Sequence, residues 1–215
     1  PKVLSALQQG QTFALISDAG MPLISDPGHP LVQACHAAGY RVIPVSGPSA
    51  VISAAAVSGL CVNGFSFIGF LPTKRGARQA VFAEMVQHPR AWLFFEAPHR
   101  MSAMVEDLAQ VLPMDRRVLV ARELTKHYEE VMLCTVQSLC ERVRSGAFQR
   151  GELVIVVEAA PAQVRALTPD LKAMIAEMRP RLTTSEIVKW LHALTQVPKK
   201  ALYQAVIEVP RKGDN

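Results

Sequence analysis

The chain has 215 residues, half of them apolar, which is enough to bury one substantial core or two small ones. No apolar run reaches the length of a bilayer span, because residues 14–24 are broken by Asp18 and Pro22 and residues 51–60 are short, so membrane association is not expected. The net charge of +5 is unevenly placed: residues 1–160 carry 14 Lys/Arg against 13 Asp/Glu, and residues 161–215 carry 9 against 5. This asymmetry suits a polyanionic partner, although a solvated basic helix face produces the same excess. Cys35, Cys61, Cys134 and Cys140 show no Cys-x-x-Cys spacing, and a reduced, metal-free, cytoplasmic protein is the expectation.

The chain opens at Pro1 without a signal peptide and reads as a start in mid-domain, with a strand over residues 12–16. Two near-copies, Ser-Asp-x-Gly and Ser-Asp-Pro-Gly, follow this strand in the stretch ALISDAGMPLISDPG. Small residues directly after an apolar strand leave amide groups free at the carboxyl end of a sheet, where open α/β folds bind ligands. Gly20 and Gly28 permit close backbone approach, and Pro22 and Pro27 stiffen the turns; the plainer alternative is a strand, a turn and a helix cap. Asp26-Pro27 is expected to start a helix whose stripe runs Leu31, Val32, Cys35 and Ala38 up to Gly39. A second strand over 41–45, the turn 46–50 and a helix over 50–58 repeat the unit. Two such units imply a parallel sheet whose turns line one pocket.

Residues 65–70 form a third strand, and the basic, Pro-bearing segment 71–76 marks a boundary between an N-terminal α/β domain (1–71) and a C-terminal one (72–160). The β-α-β rhythm continues with a helix over 77–86, a strand over 91–95, the turn 96–100 and a helix to 112. Strands over 117–122 and 131–136 flank the polar loop 123–130, and a short helix over 138–144 precedes the last strand, 153–157, whose unbroken apolar run marks it as central. From residue 161 the chain is helical. Leu171, Met174, Ile175 and Met178 share one face. Thr183-x-x-Glu186 is a capping box before Ile187, Trp190, Leu191 and Leu194, and Pro198 opens a helix with Leu202, Ala205 and Val206. The pattern fits a helix-turn-helix-like tail offering Lys189, Lys199 and Lys200 to phosphates, or an ordinary packing appendage.

Three polar clusters interrupt strand ends: Ser17-Asp18, residues 96–100, and residues 122–127. Glu96, Glu123, His99 and His127 are candidate proton acceptors. The structural alternative is that Glu96 pairs with Arg100, and Arg122 with Glu123. Phosphate loops, Gly-x-Gly-x-x-Gly, nucleophile elbows and His-Glu-x-x-His are all absent. Composition and spacing therefore support a two-lobed α/β protein that binds a small ligand through backbone groups.

The motifs SDAGMPLISDPG, VSGPSA, FxGFLP, EAPHR, RELTKHYEE and RGE, in that order, resemble the bacterial small-subunit ribosomal RNA 2′-O-ribose cytidine methyltransferases of the tetrapyrrole-methylase superfamily. The resemblance runs from residue 1 to about 160 and extends into the tail, while the family's opening Pro-x-Pro-x-Gly-Asn motif is missing and EAPHR replaces the usual ESPHR at Ala97. It implies two α/β domains of the tetrapyrrole-methylase type with a cleft between them, a C-terminal helical segment, S-adenosylmethionine as methyl donor, and a homodimer acting on ribosomal RNA or the small ribosomal subunit. Alternatives are methylation of a small tetrapyrrole-like acceptor and a non-catalytic RNA-binding module. By position, Asp18, Ala19, Gly20, Met21 and Pro22 look like the first donor loop, and Ser49 and Ala50 look like the second. Phe95, Glu96 and Leu124 continue the pocket, and Gly151, Glu152 and Leu153 close it. Glu123 is the nominated base, with His127 and Glu96 behind it. Lys126 or Arg100 would hold a phosphate, and Lys74, Arg75 and Arg78 would contact RNA with the tail.

Overall fold

The computed structural model describes residues 2–161, 169–195 and 197–209, and the chain divides into two compact units, Pro1–Ala160 and Pro161–Asn215. Three helices, α1 (Lys2–Gln8), α2 (His29–Ala37) and α3 (Ala50–Ser58), precede a five-stranded sheet. Its strands are β1 (Phe65–Phe70), β2 (Ala91–Glu96), β3 (Arg117–Arg122), β4 (Glu130–Thr135) and β5 (Leu153–Val157), in the order β1-β2-β5-β3-β4. Helices α4 (Arg75–Met85), α5 (Met101–Val111) and α6 (Val136–Arg144) connect them. The first unit is thus α/β, as its alternating texture implied.

The expected parallel rhythm holds for β1-α4-β2 and then stops, because β2–β5, β5–β3 and β3–β4 are all antiparallel. Residues 123–129 are too short to carry a crossover, so β3 and β4 can only form a hairpin. The apolar run of β5 does sit centrally, and all five of its residues are buried.

Strand alternation separates two cores. Trp92, Phe94, Val118, Val120, Leu153, Ile155 and Val157 face α4, α5 and α6. Ala91, Leu93, Leu119, Ala121, Val154 and Val156 face Val51 and Ala54 of α3.

The strands expected over 12–16 and 41–45 do not form, so the two-unit parallel sheet of residues 1–60 is a correction. A strand exists only where a neighbouring backbone satisfies its N–H and C=O groups. Neither segment has such a neighbour among the described residues, and Ile16 and Val45 are each 84% exposed. Asp26 does not cap α2, which starts after Gly28 (φ 132°) with Pro30 in its first turn. Glycine is favoured at position 28, since this positive φ is a backbone conformation that other residues rarely adopt. Helix α3 follows expectation: the Ser49 hydroxyl accepts from Ile52 N at 3.4 Å and Gly59 ends the helix with φ 63°.

The second unit contains α7 (Pro169–Met178), α8 (Thr184–Thr195) and α9 (Lys199–Glu208) around Leu171, Ile175, Ile187, Leu191, Leu202 and Val206. Residues 162–168, 196 and 210–215 of the expected tail lie outside the described residues. The capping box forms reciprocally, with Thr183 N donating to Glu186 Oε2 at 2.8 Å and Glu186 N donating to Thr183 Oγ1 at 3.3 Å. Met174, Trp190 and Leu194, expected on buried faces, are exposed, because the small bundle covers one narrow stripe per helix and these residues flank it. No described helix is long and apolar enough to cross a membrane.

Candidate functional site

The loop 17–22 and the turn 46–50 meet side by side. A Cβ placed on Gly20 (φ 70°) would stand 3.8 Å from the Pro48 carbonyl, and one on Gly47 would stand 3.9 Å from Met21 Sδ. The Ser17 hydroxyl donates to the Ala19 carbonyl at 2.8 Å and so tightens the turn. The N–H groups of Asp18, Ala19, Gly20 and Met21 donate to no group among the described residues, and neither do those of Gly47 and Ser49. Asp18 is exposed, and no ion pair engages it there. The arrangement gives a small-residue cradle with six free donors and one carboxylate. Pro22 closes the loop, and the second copy of the motif folds against β1, where a Cβ on Gly69 would lie 3.1 Å from Ser25 Oγ.

Ala50, Phe95 and Leu124 come together on the α3 face of the sheet, each half-buried in the same apolar cluster as Val51, Ala54 and Phe67. Ala50 of the second loop and two of the three residues expected to continue the pocket therefore share one apolar cluster. Glu96 is separated from them. Its neighbour across the ladder is Leu153, and both point to the opposite face, under α4 and α5. Only the main chain of Leu153 can serve a site on the α3 face, because its side chain is core.

Loop 123–130 is locked to residues 151–152. Glu123 N donates to the Glu152 carbonyl at 2.9 Å, and Glu152 N donates to Glu123 Oε1 at 2.8 Å. Lys126 Nζ bridges Glu123 Oε1 at 3.1 Å and Glu152 Oε2 at 2.9 Å. Hydrogen bonding from Glu152 N, then from Lys126, holds the Glu123 carboxyl below its ordinary range, while bonding to Glu152 holds Lys126 above its own. Glu123 (φ 51°) and Thr125 (φ 64°) are both left-handed, a costly conformation that this lattice of bonds maintains. Gly151 (φ 93°) completes the lock, since a Cβ there would meet Glu123 Cγ at 2.8 Å. Arg122 pairs with Glu130 at 3.0 Å and not with Glu123. His127 is exposed, with its ring 4.7 Å from that of Tyr128.

A second polar group lies beneath α4 and α5. Glu96 Oε1 accepts from Ala97 N at 2.8 Å and from Arg100 Nε at 3.1 Å, while Oε2 is buried without a partner, and burial pushes this carboxyl upward. Arg100 Nη2 also donates to the Leu71 carbonyl at 2.6 Å and the Pro72 carbonyl at 3.3 Å. Arg78 Nη1 donates to the Pro72 and Thr73 carbonyls at 3.3 and 3.2 Å, and its other nitrogens engage Asp107 Oδ2. Arg75 Nε reaches Asp107 Oδ1 at 2.9 Å. Arg100 and Arg78 are therefore occupied by protein carbonyls and carboxylates, which corrects their expected availability to phosphate. Lys74 remains exposed without an ion pair among the described residues. Sequence reasoning missed Asp107, whose signal is an acid set among the apolar stripe Met104, Val105 and Leu108 of α5. A depression of about 440 Å³ between α5 and α6 lies on this far face, and none of the expected site residues lines it.

Residues 2–140 match the family model described as Tetrapyrrole (Corrin/Porphyrin) Methylases. The chain is 43% identical over 203 residues to Ribosomal RNA small subunit methyltransferase I of Xylella fastidiosa, covering 94% of this chain and 74% of that protein. It is 38% identical over 218 residues to the protein of that name from Synechocystis, covering 99% and 77%, and 38% over 207 residues to that of Escherichia coli O157:H7, covering 96% and 72%. Among solved structures, the methyltransferase CobJ superposes with a TM-score of 0.55 at 19% identity, over 74% of this chain and 69% of that one. The cobalt precorrin-4 methyltransferase CbiF gives 0.55 at 16%, over 73% and 68%. These two likenesses concern the fold. Taken with the family-model match and the identity to the curated relatives, they lead to one conclusion: this chain belongs to the tetrapyrrole methylase family.

Proposed function

We propose that the chain is an S-adenosylmethionine-dependent methyltransferase that methylates the ribose 2′-hydroxyl of a cytidine in small-subunit ribosomal RNA. The observation that carries this reading is 43% identity, across 94% of the chain, to a protein named Ribosomal RNA small subunit methyltransferase I. The residues present fit the donor. Six unengaged N–H groups and the Asp18 carboxylate match a ligand with an amino-acid end, ribose hydroxyls and a purine edge, and Ala50, Phe95 and Leu124 offer its base an apolar wall. When bound, the donor supplies an electrophilic methyl group on a sulfonium.

The protein's own contribution is chiefly positioning, which at best is worth about 7–11 kcal/mol in such displacements. Residues 18–22 and 47–50 orient the donor from one side. Gly151 and Glu152, through Glu123 and Lys126, hold loop 123–130 in place on the other. Glu123 is firmly held and a weak proton acceptor, so its role is to set this loop. We assign acceptance of the hydroxyl proton to His127, an exposed base on the same loop whose ring no carboxylate engages among the described residues. Glu96, on the other face, holds Arg100, which in turn holds the carbonyls of Leu71 and Pro72. Lys74 and the lysines of α8 and α9 supply phosphate contacts.

The same reading makes the protein cytoplasmic, where ribosomal subunits are assembled, and a homodimer. Exposed Val131 and Leu133 on the edge strand β4 support the dimer, and sedimentation tests it.

Incubation with labelled donor and either small ribosomal subunits or precorrin-like acceptors tests the activity. The expected result is label in RNA, recovered as 2′-O-methylcytidine. Label in the tetrapyrrole, or in neither acceptor, overturns the reading. His127→Ala is expected to lower kcat with donor affinity intact, and Glu123→Gln to weaken donor affinity. The reverse pattern returns the proton to Glu123.

A further inference from the structure

Phe70, 52% exposed, ends β1, although the strand residues before it are half-buried. Its orientation is built into the backbone. The β1–β2 register slips between Phe67 and Phe70, and Gly69 takes φ 69°, so the strand bulges and re-aims the side chain that follows. Bulges of this kind concentrate beside functional sites. The ring continues a run of aromatics leading out of the core on the α3 face: Phe67 to Phe95 at 5.0 Å between centroids, then Phe95 to Phe70 at 5.5 Å. Phe95 and Leu124 belong to the donor wall described above, so Phe70 stands at the rim of that wall.

The segment after Phe70 is fixed as well. The carbonyls of Leu71, Pro72 and Thr73 accept from the guanidinium groups of Arg100 and Arg78, and buried carboxylates of Glu96 and Asp107 hold those groups in turn. An aromatic ring presented to solvent on so constrained a main chain is preorganised for stacking, and its exposure does not come from a loose loop. Lys74, four residues on, is exposed and unpaired among the described residues, within one short segment of the ring.

An exposed aromatic face followed four residues later by an exposed cation, at the rim of a site proposed to transfer methyl to ribose, is suited to an unstacked nucleobase and a nearby phosphate. We propose that Phe70 is the platform on which the base of the acceptor nucleotide stacks, with Lys74 on the adjoining phosphate. This assignment rests on the RNA-methyltransferase reading and names the substrate contact that would deliver the 2′-hydroxyl. It also requires that the nucleotide be unpaired when it reacts.

The test uses the full chain with Phe70→Ala, Phe70→Trp and Phe95→Ala, and a short single-stranded RNA containing cytidine. Phe70→Ala is expected to raise the KM for RNA about ten- to a hundredfold, the span of one base–aromatic stack. Binding of S-adenosylhomocysteine should be unchanged in that variant and lost in Phe95→Ala. Phe70→Trp is expected to restore the KM and to add an RNA-dependent fluorescence quench beyond any shown by the wild type, whose tryptophans are Trp92 and Trp190. An unaltered RNA KM in Phe70→Ala, or no added quench in Phe70→Trp, overturns the proposal. So does a fall in melting temperature with RNA kinetics intact, which would mark the ring as covered by protein. If the wild-type chain methylates no RNA, the activity reading fails, and the quench still decides whether position 70 stacks on a base.

Discussion

Asp107 offers the sharpest test of how the site is held. It is 2% exposed, and it is the carboxylate against which Arg78, itself 5% exposed, is set. Asp107→Ala strands a buried guanidinium. Removing one member of a buried ion pair costs about 3–5 kcal/mol, far more than the near-zero net worth of the same pair exchanged for apolar groups. Arg78 keeps its bonds to the Pro72 and Thr73 carbonyls at 3.3 and 3.2 Å, which places the loss toward the lower end, about 3 kcal/mol. In a unit the size of Pro1–Ala160, that loss lowers the unfolding midpoint by about 6–12 °C. Urea unfolding at constant m-value measures it directly. The double variant Arg78→Met with Asp107→Leu should recover most of the loss, since no charge is then left buried. A single-variant loss below about 1 kcal/mol, the scale of a surface pair, refutes the reasoning. A double variant no more stable than the single one refutes it equally.

The Glu96 carboxyl is raised above its ordinary 4.5 by burial, so the native chain holds this proton more tightly than the unfolded chain. Its contribution to stability is greatest at acid pH and declines as pH rises from about 4.5 toward the raised value. Urea midpoints of the wild type and Glu96→Gln, followed from acid pH to neutrality, should therefore converge at the acid end; parallel curves would exclude this origin. Gly39 and Gly151 both have positive φ, but a Cβ on Gly39 meets nothing within 4 Å, whereas one on Gly151 meets Glu123. Gly39→Ala should cost about 1–2 kcal/mol from backbone conformation alone. Gly151→Ala should in addition weaken S-adenosylhomocysteine binding at least about tenfold by calorimetry, the scale on which site geometry is lost to small displacements. Charge reversal of Lys199 and Lys200 should reduce RNA affinity and lower the salt slope by roughly 0.7–0.9 for each phosphate no longer neutralised, read from binding at several salt concentrations.

The sheet strands of residues 65–157 were legible to within a residue or so, because each is a compact β-rich run bounded by turn residues, and the centrality of β5 followed from its unbroken apolar character. Pairing direction was not legible beyond β2, since periodicity reports which face is buried and carries no information on which strand lies alongside. The same blindness led residues 12–16 and 41–45 to be read as strands: their composition is right, but a ladder is a property of two segments. In the candidate site, the small residues of the two turns were visible in composition, the assignment of residues 18–22 and Ser49-Ala50 to a donor came from the resemblance, and the structure sets the two loops side by side. The faces could not be named. Glu96 and Phe95 are consecutive and serve opposite sides of the sheet, so the stretch FEAPHR joins a residue of the apolar cluster on the α3 face to the buried bonding under α5. Asp107 escaped notice because its partner Arg78 is 29 positions away and looks, in the sequence, like a surface cation.

Strand β5 is the last of its unit along the chain, yet it lies between β2 and β3 and pairs with both. Until residue 157 has been synthesised, the sheet exists only as two separate pairs, β1 with β2 and β3 with β4, and two-stranded ladders are marginal in water. Both cores lack their middle, since Ile155 belongs to one and Val156 to the other. On this topology the complete sheet has to wait for β5, and a nascent chain stalled before Leu153 is expected to leave the β2 and β3 edges that β5 covers open together.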